Sequence, residues 1–68
     1  MKNNIKSERV RAGFTQEELA SHLSVDESTI SKWENGKTSV PSGKAIEMSR
    51  LFSCSIDYLF GVSQQRVF

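Results

Sequence analysis

Apolar residues recur along this chain in short stripes of helical period, and no segment alternates in the way that marks a strand. Ile5, Lys6, Arg9 and Val10 space a first helix from about residue 3 to residue 12. Gly13 stops it, because glycine is the usual residue just past a helix end. Leu19, Ala20 and Leu23 form the stripe of a second helix. Thr15, Gln16, Glu17 and Glu18 before it read as a capping box, and Phe14 stands where a hydrophobic staple belongs. Residues 24–26 form a turn, and Asp26 is the expected N-cap of a third helix from Glu27 to about Asn35. Val25, Ile30 and Trp33 point inward there, while Glu27, Ser28, Ser31 and Lys32 point away. Asn35 and Gly36 tolerate the left-handed backbone that ends a helix.

Residues 37–41 read as a loop. Ser42 is the expected cap of a fourth helix, with Ala45, Met48, Ser49 and Phe52 on one face and Gly43 weakening its first turn. Ser55 caps a last short helix with Ile56, Leu59 and Phe60 inward, ended by Gly61. Residues 63–68 read as a frayed tail. The expected fold is all-α, five helices in one domain over residues 1–62, with a tail at 63–68 that is flexible or contacts a second copy.

Residues 15–35 carry the most information. They describe two short helices joined by a tight turn, and the outer face of the second carries small polar side chains rather than the usual Lys and Glu. A short polar face on the second of two abutting helices suits entry into the major groove of DNA.

Composition adjusts this picture only slightly. A chain of 68 residues holds one modest core. Hydrophobic residues at 37% and charged residues at 25% are a globular balance, not a disordered one. No apolar run is long enough to span a membrane, and no apolar block follows the basic start Met1-Lys2. With a single cysteine, Cys54, these features favour the cytoplasm. Net charge is only +1, from nine Lys and Arg against eight Asp and Glu. DNA affinity must therefore come from gathering the basic residues on one face.

The run TQEELASHLSVDESTISKWENGKTSVP, followed by SIDYLFG, resembles the Cro and cI type helix-turn-helix repressors of lambdoid phages, the Xre family. The resemblance covers about residues 5 to 61. It implies a lambda-repressor-like five-helix domain with its helix-turn-helix at residues 15–35, acting as a transcriptional repressor. The chain departs at Ser24, where the family often has Gly, and at Glu27, where Gln, Arg or Ser is more usual.

Laid onto matching positions, the resemblance implies that Glu27, Ser28, Thr29 and Lys32 face base edges. Lys32 has the chemistry to donate to guanine O6 and N7, and Glu27 to accept from cytosine N4. Glu27 equally suits the positive end of the helix dipole without touching a base. Thr15 and Gln16 would hold the phosphate backbone on one side, and Asn35, Lys37, Thr38 and Ser42 on the other; Lys37 and Thr38 are alternatively an ordinary solvated loop. Arg9 and Glu34 match a family ion pair tying the first helix to the end of the third.

One such helix reads only a few base pairs, so two copies should act together on half-sites about 34–36 Å apart. By resemblance, Ser55, Ile56, Asp57 and Tyr58 would form the homodimer surface on a palindromic operator, with Val67 and Phe68 adding apolar contact. Family antitoxins also bind a toxin, so a second protein partner is the alternative class of function.

Other chemistry is sparse. His22 lacks neighbours at metal-ligand spacing and reads as a solvated surface residue. Cys54 reads as a small buried apolar residue, and Trp33 as core rather than a base-stacking platform. No nucleophile–base pair, metal cluster or phosphate-cradling glycine loop is signalled, so neither an enzyme nor a cofactor is expected.

Overall fold

The computed structural model describes residues 3–67. The elements are α1 (Ile5–Arg11), α2 (Gln16–Leu23), α3 (Glu27–Glu34), α4 (Ser42–Phe52) and α5 (Ile56–Leu59), with no strand among the described residues. The core is formed by Ile5, Leu19, Ala20, Leu23, Ile30, Trp33, Met48, Phe52, Cys54 and Leu59. Every helix supplies at least one of these residues, because each is too short to bury a face without the others. Phe14, Val25, Val40, Leu51, Tyr58 and Phe60 close the rim.

Several local expectations are corrected. Helix α1 is shorter than residues 3–12, and its buried stripe is Ile5, Glu8 and Arg9 rather than Val10, which is exposed. Asn3 accepts at its start, through Oδ1 from the Ile5 N–H at 3.0 Å. Pro41, not Ser42, is the N-cap of α4. Ser42 becomes the first helical residue, where its hydroxyl makes no capping bond. Asp26 occupies the N-cap of α3, but its side chain accepts no bond from the helix.

In α5, Ser55 Oγ accepts from the Tyr58 N–H at 3.1 Å, as a cap should. Ile56 is 38% exposed instead of inward, because a single helical turn has one side against the core and Leu59 fills it.

The segment after Gly61 is not frayed over the described residues. The Ser55 N–H donates to the Arg66 carbonyl at 2.7 Å, and Ser55 Oγ donates to the Gln65 carbonyl at 3.2 Å. The Arg66 guanidinium reaches Glu8 and the Phe52 carbonyl. A buried carboxylate on α1 gives this arginine a partner, so residues 63–67 fold back over the domain. The apolar contact expected of Phe68 lies outside the described residues.

Candidate nucleic-acid interface

The site begins with the angle between α2 and α3. Thr15 is extended at φ −76°, ψ 166°, and its Oγ accepts from the Glu18 N–H at 3.1 Å. The Thr15 N–H donates to Glu18 Oε1 at 2.8 Å, completing the capping box. These bonds, the backbone one first, hold the Glu18 carboxyl below its ordinary value of 4.5.

At the other end of α2, Ser24 adopts the left-handed region at φ 56°. That one residue reverses the chain, so that the Val25 N–H reaches back to the Ala20 carbonyl at 3.0 Å. Lys44 of α4 adds a bond the sequence did not signal, donating from Nζ to the Leu23 carbonyl at 2.6 Å. The C-terminal end of α2 is thereby closed by a cation, in the favourable sense for the helix dipole.

Helix α3 then leaves the turn with Ile30 and Trp33 buried in the core. The opposite side presents Glu27, Ser28 and Lys32 to solvent, with Thr29 and Ser31 half-buried at its edges. The Asp26 side chain does not cap the helix; its backbone carbonyl instead accepts from the Thr29 N–H at 3.0 Å and the Ile30 N–H at 3.3 Å.

The flanks divide in two. Thr15 is exposed and Gln16 half-buried at the start of α2. Gln16 Nε2 donates to Glu34 Oε1 at 3.0 Å, which fixes its amide and leaves its second N–H free of that bond. Beyond the C-terminal end of α3, in the connection to α4 and at the start of α4, stand Asn35, Lys37, Thr38 and Ser42, all exposed. Asn35 spends one donor on the Ser31 carbonyl at 2.9 Å. Gly36, at φ 68°, turns the chain so that residues 37–41 run from α3 to α4.

Arg9 and Glu34 are joined, Nε to Oε2, at 2.6 Å, and Arg9 Nη1 also donates to the Phe14 carbonyl at 2.9 Å. The same carboxylate takes Gln16, so α1, α2 and α3 meet at Glu34. On the side expected to face a second copy, Ser55 is only 6% exposed beneath the folded-back segment. Ile56 and Asp57 are exposed and Tyr58 is half-buried.

His22 is exposed, its ring 4.8 Å from that of Phe14, and Cys54 is buried. Among the described residues no group of His, Cys, Asp and Glu is placed to hold a metal. Nor is any helix long and apolar enough to cross a membrane.

Sequence reasoning missed Glu8, Arg66 and Lys44. Glu8 lies three residues from Ile5, on the same helical stripe. A carboxylate on a core-facing stripe requires a counter-charge, and that requirement was the available signal.

This arrangement, a core-anchored helix offering a polar face beside the capped start of its predecessor, defines a helix-turn-helix DNA-binding domain. The helix-turn-helix family model matches residues 5–59, and the chain belongs to that family. It is 42% identical over 62 residues to the HTH-type transcriptional activator BcrR of Enterococcus faecalis, covering 87% of this chain and 30% of that protein. It is 32% identical over 57 residues to the HTH-type transcriptional regulator ImmR of Bacillus subtilis, covering 84% of this chain and 45% of that protein. An uncharacterized HTH-type transcriptional regulator of Archaeoglobus fulgidus is 37% identical over 60 residues, covering 88% and 86% of the two chains. The chain thus spans less than half the length of the first two relatives. The family is one of transcriptional regulators, not of enzymes.

Proposed function

We propose that this chain reads a specific double-stranded DNA sequence in the cytoplasm by inserting α3 into the major groove, and that it acts as a homodimer on a palindromic operator to repress transcription. The observation that carries the reading is the division of α3, with Ile30 and Trp33 locked in the core while Glu27, Ser28 and Lys32 stand free on the opposite face. In this proposal Lys32 donates to guanine, and Glu27 accepts from cytosine N4 and repels phosphate where the register is wrong. Ser28 and Thr29 complete the base-facing row.

Thr15, Gln16, Asn35, Lys37, Thr38 and Ser42 take the phosphates on both sides of the groove. Such contacts fix register and supply much of the affinity without specifying sequence. Gln16, with one N–H on Glu34, brings its second N–H to a phosphate in a fixed direction. The dimer contact is built from Ile56, Asp57 and the exposed edge of Tyr58, with Ser55 positioning α5 from beneath.

Repression would follow from occlusion of a promoter by the bound dimer. The Enterococcus relative is named an activator, so the position of the operator relative to the promoter decides the sign. The test is a reporter carrying the selected operator. Lower expression with the wild-type chain, relieved by Lys32→Ala, supports repression; higher expression relieved by the same change makes the protein an activator.

A further inference from the structure

Glu8 and Arg9 are consecutive on α1, and each is buried in an ion pair of opposite polarity. Arg9 reaches Glu34 on the DNA-reading side. Glu8, only 3% exposed, is met by Arg66, with Nη2 at 2.9 Å and Nε at 3.1 Å from Oε1. The same guanidinium donates from Nη2 to the Phe52 carbonyl at 2.7 Å and so closes the last turn of α4. Ser55 binds the Gln65 and Arg66 carbonyls. Cys54 is buried between the two anchored residues, Phe52 and Ser55.

What residues 63–67 lack is an apolar anchor. Gln64, Gln65 and Val67 are exposed, and Ser63 and Arg66 are the half-buried members. A segment held by polar bonds alone belongs to the low end of local stability. Its departure nonetheless strands a buried carboxylate on α1, one residue from the arginine that holds Glu34.

We propose that residues 63–67 are a latch with two positions, docked and released, coupled through the adjacent Glu8 and Arg9 to the DNA-reading helices. DNA holds the latch closed, and release of the latch weakens DNA binding, the two effects being equal by linkage. The coupling rests on the DNA-reading assignment; the latch itself does not.

Cys54 is the reporter. Burial, the largest cause, pushes its thiol above the ordinary value of 9.0, and Glu8 adds to this while Arg66 and Arg11 oppose it. The thiol is only 4% exposed and lies in the stretch from Phe52 to Ser55 that the segment binds, so its labelling reports opening of that stretch; the Arg66 charge itself favours the thiolate and does not protect it. Alkylation by iodoacetamide is followed over a series of low urea concentrations, with and without a saturating random-sequence duplex at low salt, and binding is monitored by fluorescence anisotropy.

The expected wild-type result is labelling independent of urea at low concentrations, the mark of local opening, and slowed at least threefold by the duplex. Arg66→Gln should speed labelling at least tenfold and weaken duplex binding. The double variant Glu8→Gln with Arg66→Gln strands no charge and keeps the fold, and its labelling should stay fast. Labelling that follows global unfolding at every urea concentration overturns the latch, as does a double variant that labels at the wild-type rate. A bound duplex that leaves the rate unchanged overturns the coupling. Absence of binding by anisotropy overturns the DNA-reading assignment and the coupling with it, while the variant labelling rates still decide the latch.

Discussion

Arg9 and Glu34, 25 residues apart in sequence, sit 2.6 Å from one another with side chains only 11% and 4% exposed. Glu34 also accepts from Gln16, so one carboxylate sets how α1, α2 and the end of α3 meet. Removing the arginine leaves that carboxylate largely desolvated with a single neutral donor. Arg9→Met should therefore destabilise the domain by roughly 3–5 kcal/mol, measured by urea unfolding. A loss below about 1 kcal/mol would give the pair the weight of an ordinary surface bridge.

The capping box sets the start of α2. Thr15→Ala removes the acceptor for the Glu18 N–H and should cost about 1 kcal/mol. The Glu18 carboxyl is held below 4.5 by its bonds to Thr15, so the unfolded chain takes up this proton first. Its contribution is present above 4.5 and is lost as pH falls through the lower folded value. Thermal unfolding against pH should show a flatter acid limb in Glu18→Gln than in the wild type. Identical limbs would mean that this carboxylate plays no part in acid unfolding.

Ser24 occupies a left-handed conformation at φ 56° that costs a residue with a Cβ roughly 1–2 kcal/mol. Ser24→Gly should raise stability by about 0.5–1 kcal/mol, a part of that cost returning through the freer unfolded chain. In a domain of this size the melting temperature should rise by about 2–8 °C. A fall in melting temperature would mean that the serine hydroxyl contributes something the turn needs.

Two lysines separate affinity from readout. Lys37→Ala should weaken binding by a similar factor on every DNA sequence and reduce the salt slope by about 1. Lys32→Ala should cost about 1–3 kcal/mol on the preferred site and much less elsewhere. Titrations on a preferred and a scrambled duplex at several salt concentrations separate the two effects. The same sequence-independent loss from both changes would remove Lys32 from the readout.

What was legible in the sequence was what local chemistry decides. The Thr15–Glu18 box, the buried faces of α2 and α3 and the inward Trp33 follow from spacing and cap residues within a few positions of one another. The errors arose where a distant partner chooses. Whether Glu8 lies inside depends on an arginine 58 residues away, and without that knowledge Arg66 reads as part of a loose end. Ser42 lies inside α4 because Pro41 takes the N-cap position before it, and Ile56 faces out because one helical turn cannot bury two sides. The proposed base-facing row rests on α3's polarity together with family resemblance; spacing alone does not say which polar face meets DNA.

The measurement closest to the central claim is selection of bound sequences from a random duplex pool at moderate salt. The account predicts a two-fold symmetric consensus with half-sites about one helical turn apart, lost or altered at defined positions by Lys32→Ala. Recovery of no sequence above background by a folded chain would contradict it.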